Sequence, residues 1–205
     1  MRLAENARRV VEGGAEVGLG FPEPAELTEQ VLTGDKYIEH PDRLRGWVEI
    51  HRSQGRRLVF TNGCFDLLHR GHITYLSRAK TLGDVLIVGV NSDASVSRLK
   101  GPSRPINALK DRVDVLAALS CIDHVVSFEE DSPERLIEVI RPEVFVKGGD
   151  YTRETIREAP LAEALGGAVT VLPYEEGCST TRLIERVGHA YGRAYGDASP
   201  EVMGL

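Results

Sequence analysis

At 205 residues the chain has room for one ordinary domain and an appendage, but not for two full domains. Its 41% apolar and 27% charged residues match a soluble globular protein, and no apolar run nears the roughly 18 residues of a membrane span, so a membrane role is excluded and a cytoplasmic location expected. A formal charge of −6 excludes broad adhesion to nucleic acid, which needs a basic surface, so any recognition of phosphate has to be local.

Residues 1–35 are broken by GG, GLG and PEP, show no strand pattern and read as an N-terminal extension with two short helical stretches; the start lacks the apolar run of a secretory signal. In PDRLRGWVEIHRSQG, Leu44, Trp47, Val48 and His51 recur at helical spacing behind an Asp42 cap, and Gly55 stops the helix. An alternation follows. RLVFT reads as a buried strand, ITYLSRAKTLG as a helix and DVLIVGV as a second strand. ALKDRVDVLAALS is a helix with Leu109, Val113, Leu116 and Leu119 on one face, and HVVSF is a strand. SPERLIEVI reads as a capped helix, EVFVK as a strand, REAPLAEAL as a weaker helix, AVTVL as the last strand and TTRLIERVGHAY as a closing helix. The expected class is α/β: a Rossmann-like, doubly wound, five-stranded parallel sheet at 36–190, followed by a tail at 191–205.

In such sheets ligands bind beyond the carboxyl ends of the strands. The polar and glycine-rich stretches gather there: TNGCFDLLHRGH, NSDASVSRLKGPSRP, KGGDYTR and PYEEGCSTT each follow a strand. In the first, Asn62 and Gly63 turn the chain sharply, and the helix starting near Gly71 directs its positive end toward the same space. His69 and His72, three residues apart, can face one side of the first helical turn and bind one phosphate. A metal could use the same spacing, but no third soft ligand is near, so no dedicated metal site is expected. Cys64, Cys121 and Cys178 form neither an even disulfide set nor a C-x-x-C pair and fit a reducing compartment; Cys64 reads as a packing residue. Asp66 could be no more than a turn residue, and Ser179-Thr180-Thr181 no more than a helix cap, which is compatible with anion binding.

These stretches carry a resemblance. TNGCFDLLHRGH is similar to the H-x-G-H signature of the nucleotidylyltransferase superfamily. NSDASVSRLKGPSRPI, VFVKGGDYT and EEGCSTTRLI resemble the motifs of the adenylyltransferase domain that makes ADP-heptose from D-glycero-β-D-manno-heptose 1-phosphate and ATP. The likeness runs from about Lys36 to Val187. It implies catalytic roles for His69, His72, Asp66 and Lys100, with the histidines on the triphosphate and Asp66 placing reacting groups or an Mg²⁺ that arrives with ATP. It further implies nucleotide binding by Thr61, Asn62, Gly63, Phe65, Asp93, Arg112, Lys147, Gly149, Asp150, Ser179, Thr180 and Thr181. Asn91, Lys100 and Arg104 would meet the sugar phosphate. A homodimer follows from family analogy alone. Two alternatives stand beside this reading: a CTP-using enzyme acting on a polyol phosphate such as glycerol 3-phosphate, and a non-catalytic nucleotide-binding module.

Overall fold

A computed structural model describes residues 36–39, 41–149, 151–173 and 179–195. The expected N-terminal extension, Asp150 and residues 196–205 of the expected tail lie outside the described residues. Six strands form one sheet: β1 (Tyr37–Ile38), β2 (Leu58–Gly63), β3 (Val85–Asn91), β4 (His124–Phe128), β5 (Val144–Gly148) and β6 (Ala168–Leu172). Their order is β1-β4-β3-β2-β5-β6, and every pair is parallel. The chain therefore runs outward from β2 through β3 to β4 and then returns to the other side of β2 for β5 and β6. That reversal leaves a crevice between the carboxyl ends of β2 and β5.

Alternation along the strands sends side chains to two cores. Leu58, Phe60, Val85, Ile87 and Phe145 point to one face, where they meet Leu44 and Val48 of α1 (Pro41–Ser53), Ile137 and Ile140 of α5 (Glu134–Ile140) and Ala162 of α6 (Ala159–Ala164). Val59, Leu86, Val88 and Val146 point to the other, against Tyr75, Leu76 and Ala79 of α2 (Arg70–Lys80) and Val113, Leu116 and Ala117 of α4 (Leu109–Ala117). Strands covered on both faces must be apolar on both, which explains why β2 and β3 read as continuous runs. The rings of Phe60 and Phe145 stack across neighbouring strands, with centroids 5.8 Å apart.

Several elements differ from the sequence reading. The sheet has six described strands rather than five, because β1, two residues long, adds an edge to β4 and is too short to show any period. The stretch NSDASVSRLK, read as a loop, contains helix α3 (Asp93–Lys100), capped by Ser92, whose hydroxyl accepts from the Ser95 N–H. A 3₁₀ turn, Arg153–Thr155, interrupts the segment after β5. Helix α1 begins at Pro41, so Asp42 sits within the first turn instead of capping it; proline is at home there because its missing N–H would have no helical partner. Helix α5 has Pro133 at its cap position and no side-chain cap. The closing helix, α7 (Thr180–Tyr195), carries five residues of the expected tail.

At the amino edge of the sheet, His51 from the last turn of α1 and His124 from the start of β4 approach through their Nε2 atoms at 2.9 Å, both 6% exposed. Trp47 packs on both rings, at 5.9 and 5.0 Å. Burial lowers the pKa of each imidazole, aided by Arg56 at His51 and by His51 itself at His124, which falls to about 4.

Candidate active site

The crevice between β2 and β5 opens into a cavity of about 430 Å³. Four of the segments in its walls carry residues expected from sequence, each following a different strand. From the β2 end come Asn62, Gly63, Phe65, Asp66 and His72; from the β3 end, Asn91, Lys100 and Arg104; from the β5 end, Lys147; from the start of α7, Thr180 and Thr181. These eleven positions were expected from sequence, and the fold brings them together.

The turn leaving β2 holds Phe65 at φ 45°, a left-handed conformation unusual for a bulky residue and a local strain of the kind met at functional sites. The Phe65 ring meets His72 edge-on, with centroids 5.5 Å apart. His69 is the cap residue of α2, and its carbonyl accepts the His72 N–H at 2.9 Å. The two imidazoles stack, centroids 3.9 Å apart and planes 24° from parallel. His69 does not itself line the cavity; it backs His72. Burial depresses both, and His72, with His69 against it, falls to about 4. Each Nδ1 is buried without a protein partner. Two uncharged imidazoles at a helix N-terminus offer N–H donors at low cost, since neither has to be stripped of an ion partner first.

Asp66 is 3% exposed, and its carboxylate is already engaged. Oδ1 accepts from the Ile106 and Asn107 N–H groups at 2.8 and 2.9 Å, and Oδ2 accepts from Arg104 Nε and again from Ile106. The Asn107 amide also donates to the Asp66 carbonyl at 2.9 Å. Burial pushes the Asp66 pKa up, but the backbone donors of Asn107 and Ile106 together with Arg104 outweigh it, and the net shift is downward. The expectation that Asp66 places an Mg²⁺ thus meets a carboxylate with both oxygens in use. Its visible work is to fasten the segment after α3, with Arg104, onto the first loop.

Arg112, expected at a phosphate, has a fully buried side chain behind the cavity wall. Its guanidinium donates to the carbonyls of Asn107 and Cys64 and to Asp93 Oδ1 at 2.7 Å, clipping three segments together. Asp93 faces that arginine instead of the cavity. Thr61 is fully buried with its hydroxyl 2.6 Å from Tyr75 Oη, and Ser179 spends its Oγ as the cap of α7, accepting from the Arg182 N–H. The Thr180 hydroxyl reaches the Leu67 carbonyl at 3.3 Å and so ties α7 to the first loop. Gly149, at φ 129°, turns the chain after β5.

Sequence reasoning missed five side chains in these walls: Tyr75, Leu99, Asp131, Tyr151 and Glu158. Tyr75 was findable, because it lies one turn beyond His72 on the buried face of α2. It also explains Gly148, where a Cβ would lie 2.7 Å from a Tyr75 ring carbon. Glu158 gave no signal. It is one acidic residue among several before α6, and only the fold shows that it is 9% exposed and paired with Lys147 at 3.1 Å.

Among the described residues no three His, Cys, Asp or Glu side chains converge as a metal site, and no helix is long and apolar enough to cross a membrane. The cavity can hold an anion against imidazole, ammonium and hydroxyl groups; the thiol of Cys64 also lines it, with its pKa pushed up by burial and so away from the nucleophilic thiolate. Bifunctional protein HldE of Geobacter sulfurreducens is 47% identical over 93% of this chain, and its counterpart in Syntrophotalea carbinolica is 50% identical over 80%. The chain spans only 39% and 34% of the length of those two relatives. A pantoate-beta-alanine ligase from Francisella tularensis, solved with beta-gamma ATP and beta-alanine, shares the fold at a TM-score of 0.52 and 16% identity, over 77% of this chain and 78% of its own. The cytidylyltransferase-like pattern matches residues 60–186, from the middle of β2 into α7, and the chain accordingly belongs to the cytidylyltransferase-like family of nucleotidyltransferases.

Proposed function

We propose that the protein transfers AMP from ATP to D-glycero-β-D-manno-heptose 1-phosphate, releasing pyrophosphate and giving ADP-heptose. The observation that carries this reading is the convergence of His72, Lys100, Arg104, Lys147, Thr180 and Thr181 on one cavity, in a chain whose overall charge is negative. The motif resemblance to heptose 1-phosphate adenylyltransferases and the similarity to the HldE proteins support the choice of substrates.

A sugar phosphate oxygen is already nucleophilic at neutral pH, so the reaction needs no base to create one. The obstacle is bringing two polyanions into line. The phosphate oxygen of the sugar attacks the α-phosphorus, the bond from that phosphorus to the bridging oxygen breaks, and pyrophosphate departs with the electron pair. No covalent bond to the enzyme forms. In this reading His72, with His69 stacked behind it, meets the triphosphate at the α2 N-terminus, where charge grows in the transition state. Lys147, Thr180 and Thr181 hold the nucleotide, Lys100 and Arg104 draw in the sugar phosphate, and Asn91 borders it. Asp66 and Arg112 serve by fixing the loops that carry these groups. Mg²⁺ supplies charge neutralisation on the phosphates when bound. With Asp66 and Glu158 both engaged by cations, the donor set suits an ion carried mainly by phosphate oxygens and water.

A panel of ATP, CTP and GTP against heptose 1-phosphate and glycerol 3-phosphate, followed by pyrophosphate release, tests the assignment. ATP with the heptose is expected to turn over. Turnover only with CTP and the polyol phosphate would replace it with the cytidylyl reading.

A further inference from the structure

A cavity that receives polyphosphate should exclude carboxylates, yet Glu158 stands in its wall, mostly buried at the position before α6. Its Oε1 accepts from Lys147 Nζ at 3.1 Å. The same Nζ donates to Asn62 Oδ1 at 2.8 Å and lies 5.2 Å from the centre of the Phe145 ring. Lys147 leaves β5 and Asn62 leaves β2, the two strands that flank the switch point, so the ammonium bridges the floor of the crevice. Both charged side chains are largely withdrawn from water, at 15% and 11% exposure. Of the three N–H donors of the ammonium, two are taken, and the third has no partner among the described residues.

Burial on its own drives such a lysine toward its neutral form, and Glu158 opposes that drive; the net shift is downward. A neutral amine here would offer a phosphate little, and an unheld side chain would have four bonds about which to wander. We infer that Glu158 is a positioning residue for anion binding: together with Asn62 it holds the Lys147 ammonium charged and in place at the floor of the crevice, with one donor reserved for a nucleotide phosphate. The inference rests on reading the cavity as the polyphosphate site. The other charged or titratable groups in its walls are Cys64, Asp66, His72 and Tyr75 from the β2–α2 segment, Lys100 and Arg104 from α3 and beyond, Asp131 from the β4–α5 segment and Tyr151 after β5.

The test is the affinity of the full chain for ATP, by titration calorimetry between pH 7 and pH 10. Wild type is expected to lose affinity on the alkaline side. Glu158→Gln, whose amide oxygen can still accept from Lys147 but carries no charge, is expected to move that loss at least about one pH unit lower. Lys147→Arg should flatten the alkaline loss in either background, since a guanidinium keeps its proton; this rescue assigns the loss to position 147 rather than to Cys64, Lys100 or Tyr151. An unshifted profile in Glu158→Gln, or a loss of affinity equal at every pH, overturns the inference and leaves the phosphate site standing. Should Glu158→Gln not fold, Lys147→Arg decides alone: an alkaline loss unchanged from wild type overturns the inference. Wild type that binds no ATP at any pH overturns the phosphate reading and this inference with it.

Discussion

Two histidine pairs occupy opposite edges of the same sheet, and they differ in how they use their nitrogens. At the amino edge, His51 and His124 meet edge to edge, Nε2 to Nε2, under Trp47. At the carboxyl edge, His69 and His72 lie face to face at 3.9 Å, and His72 opens on the cavity. Burial depresses all four imidazoles, and His72 and His124 each fall to about 4. Depressed pKa values therefore do not separate a site from a structural joint. All four Nδ1 atoms are buried without a protein partner; what separates the pairs is that the first joins its Nε2 atoms to each other, whereas the second is stacked by its faces and presents His72 to the cavity.

The sharpest way to break this comparison is His72→Ala. Loss of one donor at a developing charge should lower kcat/KM by about 10²–10³-fold, with little change in Tm. Steady-state pyrophosphate release and a melting curve give the two readings. The matching change at the other edge, His124→Leu, should do the reverse at the level of activity, leaving kcat/KM per folded molecule unaltered.

Acid treats the two pairs alike. Unfolded, both His72 and His124 take up a proton near pH 6.5; folded, they do so only near pH 4. Between those values the unfolded state binds more protons, so stability is full above pH 6.5 and falls as pH drops toward 4, by on the order of a few kcal/mol. Asp66, held below its usual range, extends the loss to lower pH. Denaturant midpoints taken from pH 7.5 to pH 4 check the sign; a midpoint that rises on acidification would contradict it.

His124→Leu leaves His51 Nε2 buried without its partner and should cost about 1–3 kcal/mol, while replacing both histidines with apolar residues should restore most of that loss. Chemical unfolding of the single and double variants measures the difference. The smallest effect separates the pairs again. A triphosphate beside His69 and His72 raises their proton affinity, so ATP binding near pH 6 should take up a fraction of a proton, seen as a binding enthalpy that varies with the buffer. That uptake should persist in the His51 and His124 variants and shrink in His69→Ala.

The alternation of strands and helices, and the crowding of HRGH, RLKGPSRP, VKGG and CSTT after strands, were legible in the chain because period and turn chemistry are local properties. Strand β1 was not, since two residues carry no period; nor was α3, whose polar surface and serines read as loop. The chain alone determined that four anion-suited segments lie on one edge of a parallel sheet. Only the tertiary structure decided which cations face the cavity and which hold it together: Arg112 turns inward to two carbonyls and Asp93, Arg104 answers to Asp66, and Lys147 is held by Glu158 from a different element. An arginine or lysine has the same charge wherever it stands, and its task is set by the carboxylate, carbonyl or open space that folding places beside it.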